Sequence, residues 1–358
     1  MSQLAPRAAV KRMLPYHPPL GDRSGLRLDF NENTLACSPR VREALGAIST
    51  AELTRYPERG PIEAMVARHH GLLPEQVLLT NGVDEAIHVL CQTYLNPGER
   101  MLFSVPTYTM YEVYGSGADA TMDRVMAGAE FAFPLESMLA ALRPETRLIA
   151  VANPNSPTGQ TVKREQLLAL IAAAPHAAVL VDEAYFHFFG ESMIDLVGRV
   201  PNLIVARTFS KAYGLAGLRL GMLAASSEQM EWMRRVISPY SVNALALACL
   251  PAALEDQPYL DWYVEEVRQA RTELEQALDR LGLVRWPSEA NFVLVRVGDK
   301  HREFTAALRE RRVLVRDRSA DPGCAGCVRI TVGTGEQMRA AVQAIEESLN
   351  VISWKAER

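Results

Sequence analysis

Between residues 75 and 225 the chain alternates short apolar runs with longer stretches patterned for helix. The runs cover residues 77–80, 101–105, 148–152, 178–181 and 203–206, with 220–225 as a further candidate. Continuous rather than alternating apolar runs, separated by amphipathic stretches such as 163–174, predict parallel strands buried on both faces. That is an α/β pattern. The last third differs. Tyr263, Val267, Ala270, Leu274, Leu278 and Leu281 recur at spacings of three and four, which predicts one face of a long helix over 259–281. Shorter runs follow at 291–297, 313–316 and 328–332. Helices are predicted near 302–312 and over 336–349, giving a second, smaller α/β unit. Segment 242–254 reads as a buried helix. Ser38-Pro39 is a helix start, with a capping hydroxyl and proline at the first position. Pro6, Pro15, Pro18 and Pro19 predict an extended N-terminal arm.

Length and charge narrow this picture. The 358 residues suggest roughly two domains. We divide them into a large domain over 41–262 and a small one built from the arm, 1–40, together with 263–358. Lys plus Arg (38) nearly balance Asp plus Glu (42), a net charge of -4 that argues against a nucleic-acid protein. No segment reaches the ~18 apolar residues of a membrane helix, and the N-terminus lacks the apolar core of a secretory signal. Five cysteines, an odd number, argue against a disulfide framework and for the reducing cytoplasm. Cys324 and Cys327 form a lone CxxC, too little for a metal site, and no metal is expected.

In open parallel sheets ligands bind beyond the carboxyl ends of the strands. Each run is followed there by chemistry-bearing residues. After 77–80 comes Asn81-Gly82-Val83-Asp84-Glu85, a glycine turn into a helix N-terminus suited to phosphate. After 101–105 comes Pro106-Thr107-Tyr108, and after 148–152 the stiff polar loop from Asn153 to Gly159. After 178–181 comes Asp182-Glu183-Ala184-Tyr185. After 203–206 comes Arg207-Thr208-Phe209-Ser210-Lys211, then Gly214, Gly217 and Arg219. Taken singly, each has a bland reading: an acid that ends a strand, a solvated lysine, a surface arginine. Together they describe a pyridoxal 5'-phosphate site. That cofactor needs a lysine for a Schiff base, an acid for its ring nitrogen and a phosphate cradle.

The run from Arg207 to Gly221, Arg-Thr-Phe-Ser-Lys-Ala-Tyr-Gly-Leu-Ala-Gly-Leu-Arg-Leu-Gly, resembles the lysine segment of fold-type-I (class I/II) aminotransferases, and among them the histidinol-phosphate aminotransferases most. The resemblance covers nearly the whole chain. It includes Leu28-Asp29-Phe30-Asn31-Glu32-Asn33, Arg55-Tyr56-Pro57, Met110-Tyr111, Leu314-Val315-Arg316-Asp317 and the stretch Val328-Arg329-Ile330-Thr331-Val332-Gly333-Thr334.

The fold so implied is the fold-type-I transferase: a large domain with a mainly parallel sheet flanked by helices, plus a smaller α/β C-terminal domain. The resemblance implies Lys211 as the Schiff-base lysine and proton shuttle. It implies Asp182 on the pyridine nitrogen, Tyr185 donating to the phenolate oxygen and Tyr108 stacked on the ring. Ser210, Arg219 and the turn Gly82-Val83-Asp84 would hold the phosphate, with Thr208 as a helper. Tyr56 would reach the cofactor of a partner subunit in a homodimer. Arg329 would grip a carboxylate, and Arg316 with Arg329 and Tyr16 a substrate phosphate. The implied activity is transamination between histidinol phosphate and 2-oxoglutarate.

The chain departs from the pattern at Ser156, where the family usually has an asparagine that donates to the cofactor. Ser156 or the neighbouring Asn155 is expected to take that part. Thr34-Leu35-Ala36-Cys37 and Val83 also depart. Three alternatives stay open: an aromatic or other amino-acid aminotransferase, a threonine-phosphate decarboxylase of the same fold, and a cofactor-binding regulator, against which the charge argues.

Overall fold

In the computed structural model the described residues are 4–17 and 21–355. Pro18 and Pro19, part of the predicted extended arm, lie outside them. Among the described residues the strands, in chain order, are β1 (Leu26–Leu28), β2 (Val77–Thr80), β3 (Arg100–Val105), β4 (Thr121–Met126), β5 (Thr146–Ala152), β6 (Ala178–Asp182), β7 (Leu203–Thr208), β8 (Gly221–Ala224), β9 (Val284–Arg285), β10 (Phe292–Arg296), β11 (Val313–Asp317) and β12 (Cys327–Thr331). They form a seven-stranded sheet in the order β2-β8-β7-β6-β5-β3-β4 and a five-stranded sheet in the order β1-β11-β12-β10-β9.

The central strands of the large sheet pair in parallel, whereas β8 runs antiparallel to both neighbours. The continuous apolar runs follow from burial on both faces. Along β6, Val179 and Val181 pack into one core layer and Ala178 and Leu180 into the opposite one. β4 has no such run. It is an edge strand whose residues are half-buried or exposed, and the hydrophobic pattern alone does not reveal it. Between β3 and β5 the strand order reverses, and the crevice at such a switch point opens at the carboxyl ends.

The long C-terminal helix spans Gln257–Arg280 and buries the predicted face, including Tyr263, Val267, Ala270, Leu274 and Leu278. The division drawn at residue 262 therefore falls inside one continuous helix. Pro258 sits in its first turn and Gly282 follows its end, with no breaker between them. The arm is not extended throughout. Residues Ala8–Arg12 form a short helix whose Ala9 is buried, and Arg7 and Arg12 bond Gly117 O at 2.6 Å and Asp119 at 2.5 Å. Further along, β1 pairs in parallel with β11, so the arm adds a strand to the smaller sheet.

Candidate active site

The site is built from strand ends of the large sheet and roofed by β11, β12 and the segment after β1. Asp182 is the last residue of β6, in register between Ala152 and Ala206. It lies on the same face as Ala178 and Leu180 because side chains alternate along a strand. Its carboxylate is buried, accepting the Tyr111 hydroxyl at 2.8 Å and the Ala184 amide at 3.1 Å. Burial pushes its pKa up to about 6, although both hydrogen bonds pull the other way.

Lys211 follows β7 by three residues. Its Nζ donates to the carbonyl of Phe30 at 3.0 Å and lies 5.8 Å from the centre of the Tyr185 ring. Tyr185 is buried, packs edge-on against Phe292 at 5.1 Å, and accepts the Asn31 amide at 2.9 Å. Tyr108 stands at the opposite wall, its hydroxyl donating to Asp84 at 2.6 Å. Asp182, Lys211, Tyr185, Tyr108, Ser156 and Arg219 line one pocket, together with Thr208, Val83 and Asp84.

The far end of that pocket is a cradle of close backbone approaches. Gly82 opens the helix Gly82–Tyr94 with φ of +75°, and a Cβ there would lie 2.6 Å from Arg219 Nη2. A Cβ on Gly221 would lie 2.7 Å from the Gly82 carbonyl carbon and 2.8 Å from the Val83 nitrogen. Arg219 itself adopts φ of +57° and bonds Asp84 at 2.9 Å. Ser210 is buried, with its amide on Thr208 Oγ1 at 3.1 Å. Helix-start amides, a guanidinium and the Ser210 hydroxyl are the donors a phosphate requires, while the Thr208 hydroxyl donates to Leu220 O at 3.4 Å.

Over the pocket mouth, Arg316 of β11 and Arg329 of β12 are directly paired across antiparallel strands. Like charges in that position repel. Arg329 is buried, donating to Ser156 Oγ at 3.0 Å and Asp29 O at 2.8 Å, and burial pulls its pKa down to about 10. It therefore stays charged at neutral pH. Arg316 donates to the Tyr16 hydroxyl at 3.2 Å. Arg329 Nε and Arg316 Nη1 are buried and have no acceptor among the described residues. Two cations lining one cavity call for an anion. Tyr16, Asn31, Lys211, Tyr185 and both arginines line it.

Two expected residues are placed elsewhere. The Asn155 amide is spent on Pro106 O and Thr158 Oγ1, both at 2.9 Å, while its Oδ1 accepts Thr107 at 2.7 Å. It holds the loop and does not substitute for the missing asparagine. Ser156 faces the pocket, and because it accepts from Arg329 its own proton is left to donate. Tyr56 is 79% exposed, stacked on Tyr240 at 4.4 Å and outside its own chain's pocket. Conversely, Tyr111, Asn31 and Thr331 belong to the site, although sequence reasoning gave them no role. Their signal was only their place in quoted motifs, because they act on residues far along the chain.

A lysine, a buried acid beyond it, an aromatic wall and a phosphate cradle at a sheet switch point define a pyridoxal 5'-phosphate enzyme of fold type I. The residues fit the group: the glycines leave the cradle open, and the burial of Asp182 favours a cationic partner. Residues 23–345 match the family model "Aminotransferase class I and II", and the chain belongs to this family. The chain is 33% identical to histidinol-phosphate aminotransferase 2 of Methylococcus capsulatus, over 95% of this chain and 97% of that one. Among solved structures, histidinol-phosphate aminotransferase from Sinorhizobium meliloti in complex with pyridoxal-5'-phosphate superposes with a TM-score of 0.88 at 24% identity, covering 98% and 99%. L-threonine-O-3-phosphate decarboxylase from Porphyromonas gingivalis gives 0.81 at 24%, covering 91% and 99%. These last two likenesses speak for the fold.

Proposed function

We propose that the protein transfers an amino group between histidinol phosphate and 2-oxoglutarate, giving imidazole-acetol phosphate and glutamate in histidine biosynthesis. The observation that carries this reading is the Arg316–Arg329 pair. Its two guanidinium groups, which line one cavity, suit the phosphate of one substrate and the carboxylates of the other, which alternate in a two-step exchange. The relatives' names favour the same substrate.

Pyridoxal phosphate, when bound, supplies an electron sink for negative charge at the substrate carbon that bears the nitrogen. The chain's residues do the rest. Asp182 would keep a proton on the ring nitrogen, and Tyr185 and Ser156 would donate to the phenolate oxygen. Tyr108 would stack on the ring, and the 82–84 amides, Ser210 and Arg219, with Thr208 as a helper, would hold the phosphate. Lys211 Nζ would serve as the base that takes the proton from the substrate carbon and gives it back. Tyr16, Arg316 and Arg329 would orient the substrate phosphate, and Arg329 would grip the carboxylate of the alternate substrate.

The functional unit in this reading is a cytoplasmic homodimer in which Tyr56 reaches the partner's cofactor phosphate. The exposed Tyr56–Tyr240 stack supports it, since such a patch favours burial. The division into a cofactor domain over 41–262 and a substrate-closing unit of 1–40 with 263–358 belongs to the same proposal. Steady-state comparison of histidinol phosphate, phenylalanine and threonine phosphate tests the reading. Histidinol phosphate should give the highest kcat/KM, and Lys211→Ala should lower its turnover by at least ~10²–10⁴-fold. Preference for phenylalanine, or carbon dioxide release from threonine phosphate, would overturn it.

A further inference from the structure

Asn31 adopts φ of +53° and is 1% exposed. A buried non-glycine residue in the left-handed region stays there only when its surroundings hold it. Four hydrogen bonds do so. Its amide N–H donates to Thr331 Oγ1 at 3.0 Å, and its carbonyl accepts the Asn291 side chain at 3.1 Å. Its Oδ1 accepts Thr331 Oγ1 at 3.2 Å, and its Nδ2 donates to the Tyr185 hydroxyl at 2.9 Å.

The direction of this chain is set by the backbone. A main-chain N–H can only donate, so Thr331 Oγ1 accepts from it and its own hydroxyl proton is free for Asn31 Oδ1. That fixes the Asn31 amide with Nδ2 toward Tyr185. The Tyr185 oxygen then already receives a proton from Asn31, and its own proton must go to another acceptor. The nearby carboxylates are satisfied by other phenols: Tyr111 donates to Asp182 and Tyr108 to Asp84. On this side Lys211 Nζ donates to the Phe30 carbonyl, and the Arg329 guanidinium has donors but no acceptor. Only the pocket remains.

We propose that Asn31 is a positioning residue that commits Tyr185 to donate its proton into the pocket, onto the cofactor's phenolate oxygen. Thr331 sets the direction of that commitment from β12, two residues beyond Arg329. The strand that binds the substrate anion and the residue that tunes the cofactor are thereby joined by one side chain. The inference rests on the pyridoxal phosphate assignment made above for Lys211 and Tyr185.

Its test is a spectrophotometric pH titration of the holoenzyme, following the visible band of cofactor held at Lys211. A committed donor at the phenolate oxygen stabilises its negative charge and keeps the midpoint low. Asn31→Gly tolerates the left-handed backbone and removes the amide, so it should raise the midpoint by about one unit, a tenfold change in proton affinity. Thr331→Val, nearly the same shape, should raise it by less. In a Tyr185→Phe background neither substitution should add a further shift. An unshifted midpoint in both single variants, or an equal shift in the Tyr185→Phe background, would overturn the inference. Were Asn31→Gly not to fold, Thr331→Val still decides. A wild type that forms no band with added cofactor would instead overturn the underlying assignment.

Discussion

Asp182 concentrates the conflict between stability and chemistry in one residue. Its burial raises the carboxyl pKa from 3.8 to about 6, so the folded chain without cofactor binds a proton there more tightly than the unfolded chain. The sign follows by linkage. The stabilising contribution is complete below about pH 4 and is lost as pH rises through about 6, where a buried charge must form without a cation beside it. Thermal unfolding of the cofactor-free protein should therefore show wild type weakening over that interval, and Asp182→Asn lacking that loss. In the proposed function the same substitution would remove the partner of the ring nitrogen, and it should cost about 100-fold in kcat. An Asp182→Asn protein with unchanged pH dependence of Tm would contradict this account. Asp182 was legible in the sequence because an apolar run ends directly before it, and Lys211 because it lies in the polar segment that follows another such run. Tyr111 and Asn31 were not, because each acts through another side chain, 71 and 154 residues away respectively. Ser156 and Asn155 illustrate a finer limit. Adjacent polar residues were interchangeable on paper, and only the loop's hydrogen bonds separate the one facing the pocket from the one holding the turn.

At the scale of elements, β8 matters more than its short apolar run implies. It is inserted antiparallel between β2 and β7, and Gly221 at its start lets the opening of the Gly82–Tyr94 helix pack directly against it. The two atoms that a Cβ would meet most closely there are backbone and cannot turn aside. Gly221→Ala should displace the helix start, cost about 1–3 kcal/mol of stability and weaken cofactor phosphate binding more than substrate binding. Equilibrium dialysis of the cofactor beside thermal unfolding measures both. Retained cofactor affinity would show that the close approach has no part in the cradle. The parallel strands were readable because burial on both faces leaves long apolar runs. The edge strand β4, with Asp123 and Arg124 in its middle, and the two-residue β9 were not, since neither buries enough apolar surface to pattern the sequence. The short helix in the arm was hidden for a related reason: it is held by Arg7 and Arg12 contacts to residues more than a hundred positions away.

For the whole molecule, the two sheets meet at one pocket, lined by Lys211 and Tyr185 from the large sheet's strand ends and by Arg316 and Arg329 from the small sheet. Tyr56 extends the proposal to a second copy. Mixing Lys211→Ala with Tyr56→Ala under subunit exchange tests it, since a heterodimer would contain one site with both residues intact. Activity above that of either parent supports contribution across the interface, and none would place Tyr56 outside it. The central claim is that the paired arginines select a phosphate-bearing amine. It is tested most directly by the ratio of kcat/KM for histidinol phosphate over unphosphorylated histidinol, in wild type and Arg316→Gln. The account predicts a large ratio in wild type that falls roughly 10- to 100-fold in the variant, through loss of a charge-assisted hydrogen bond. An unchanged ratio would contradict it.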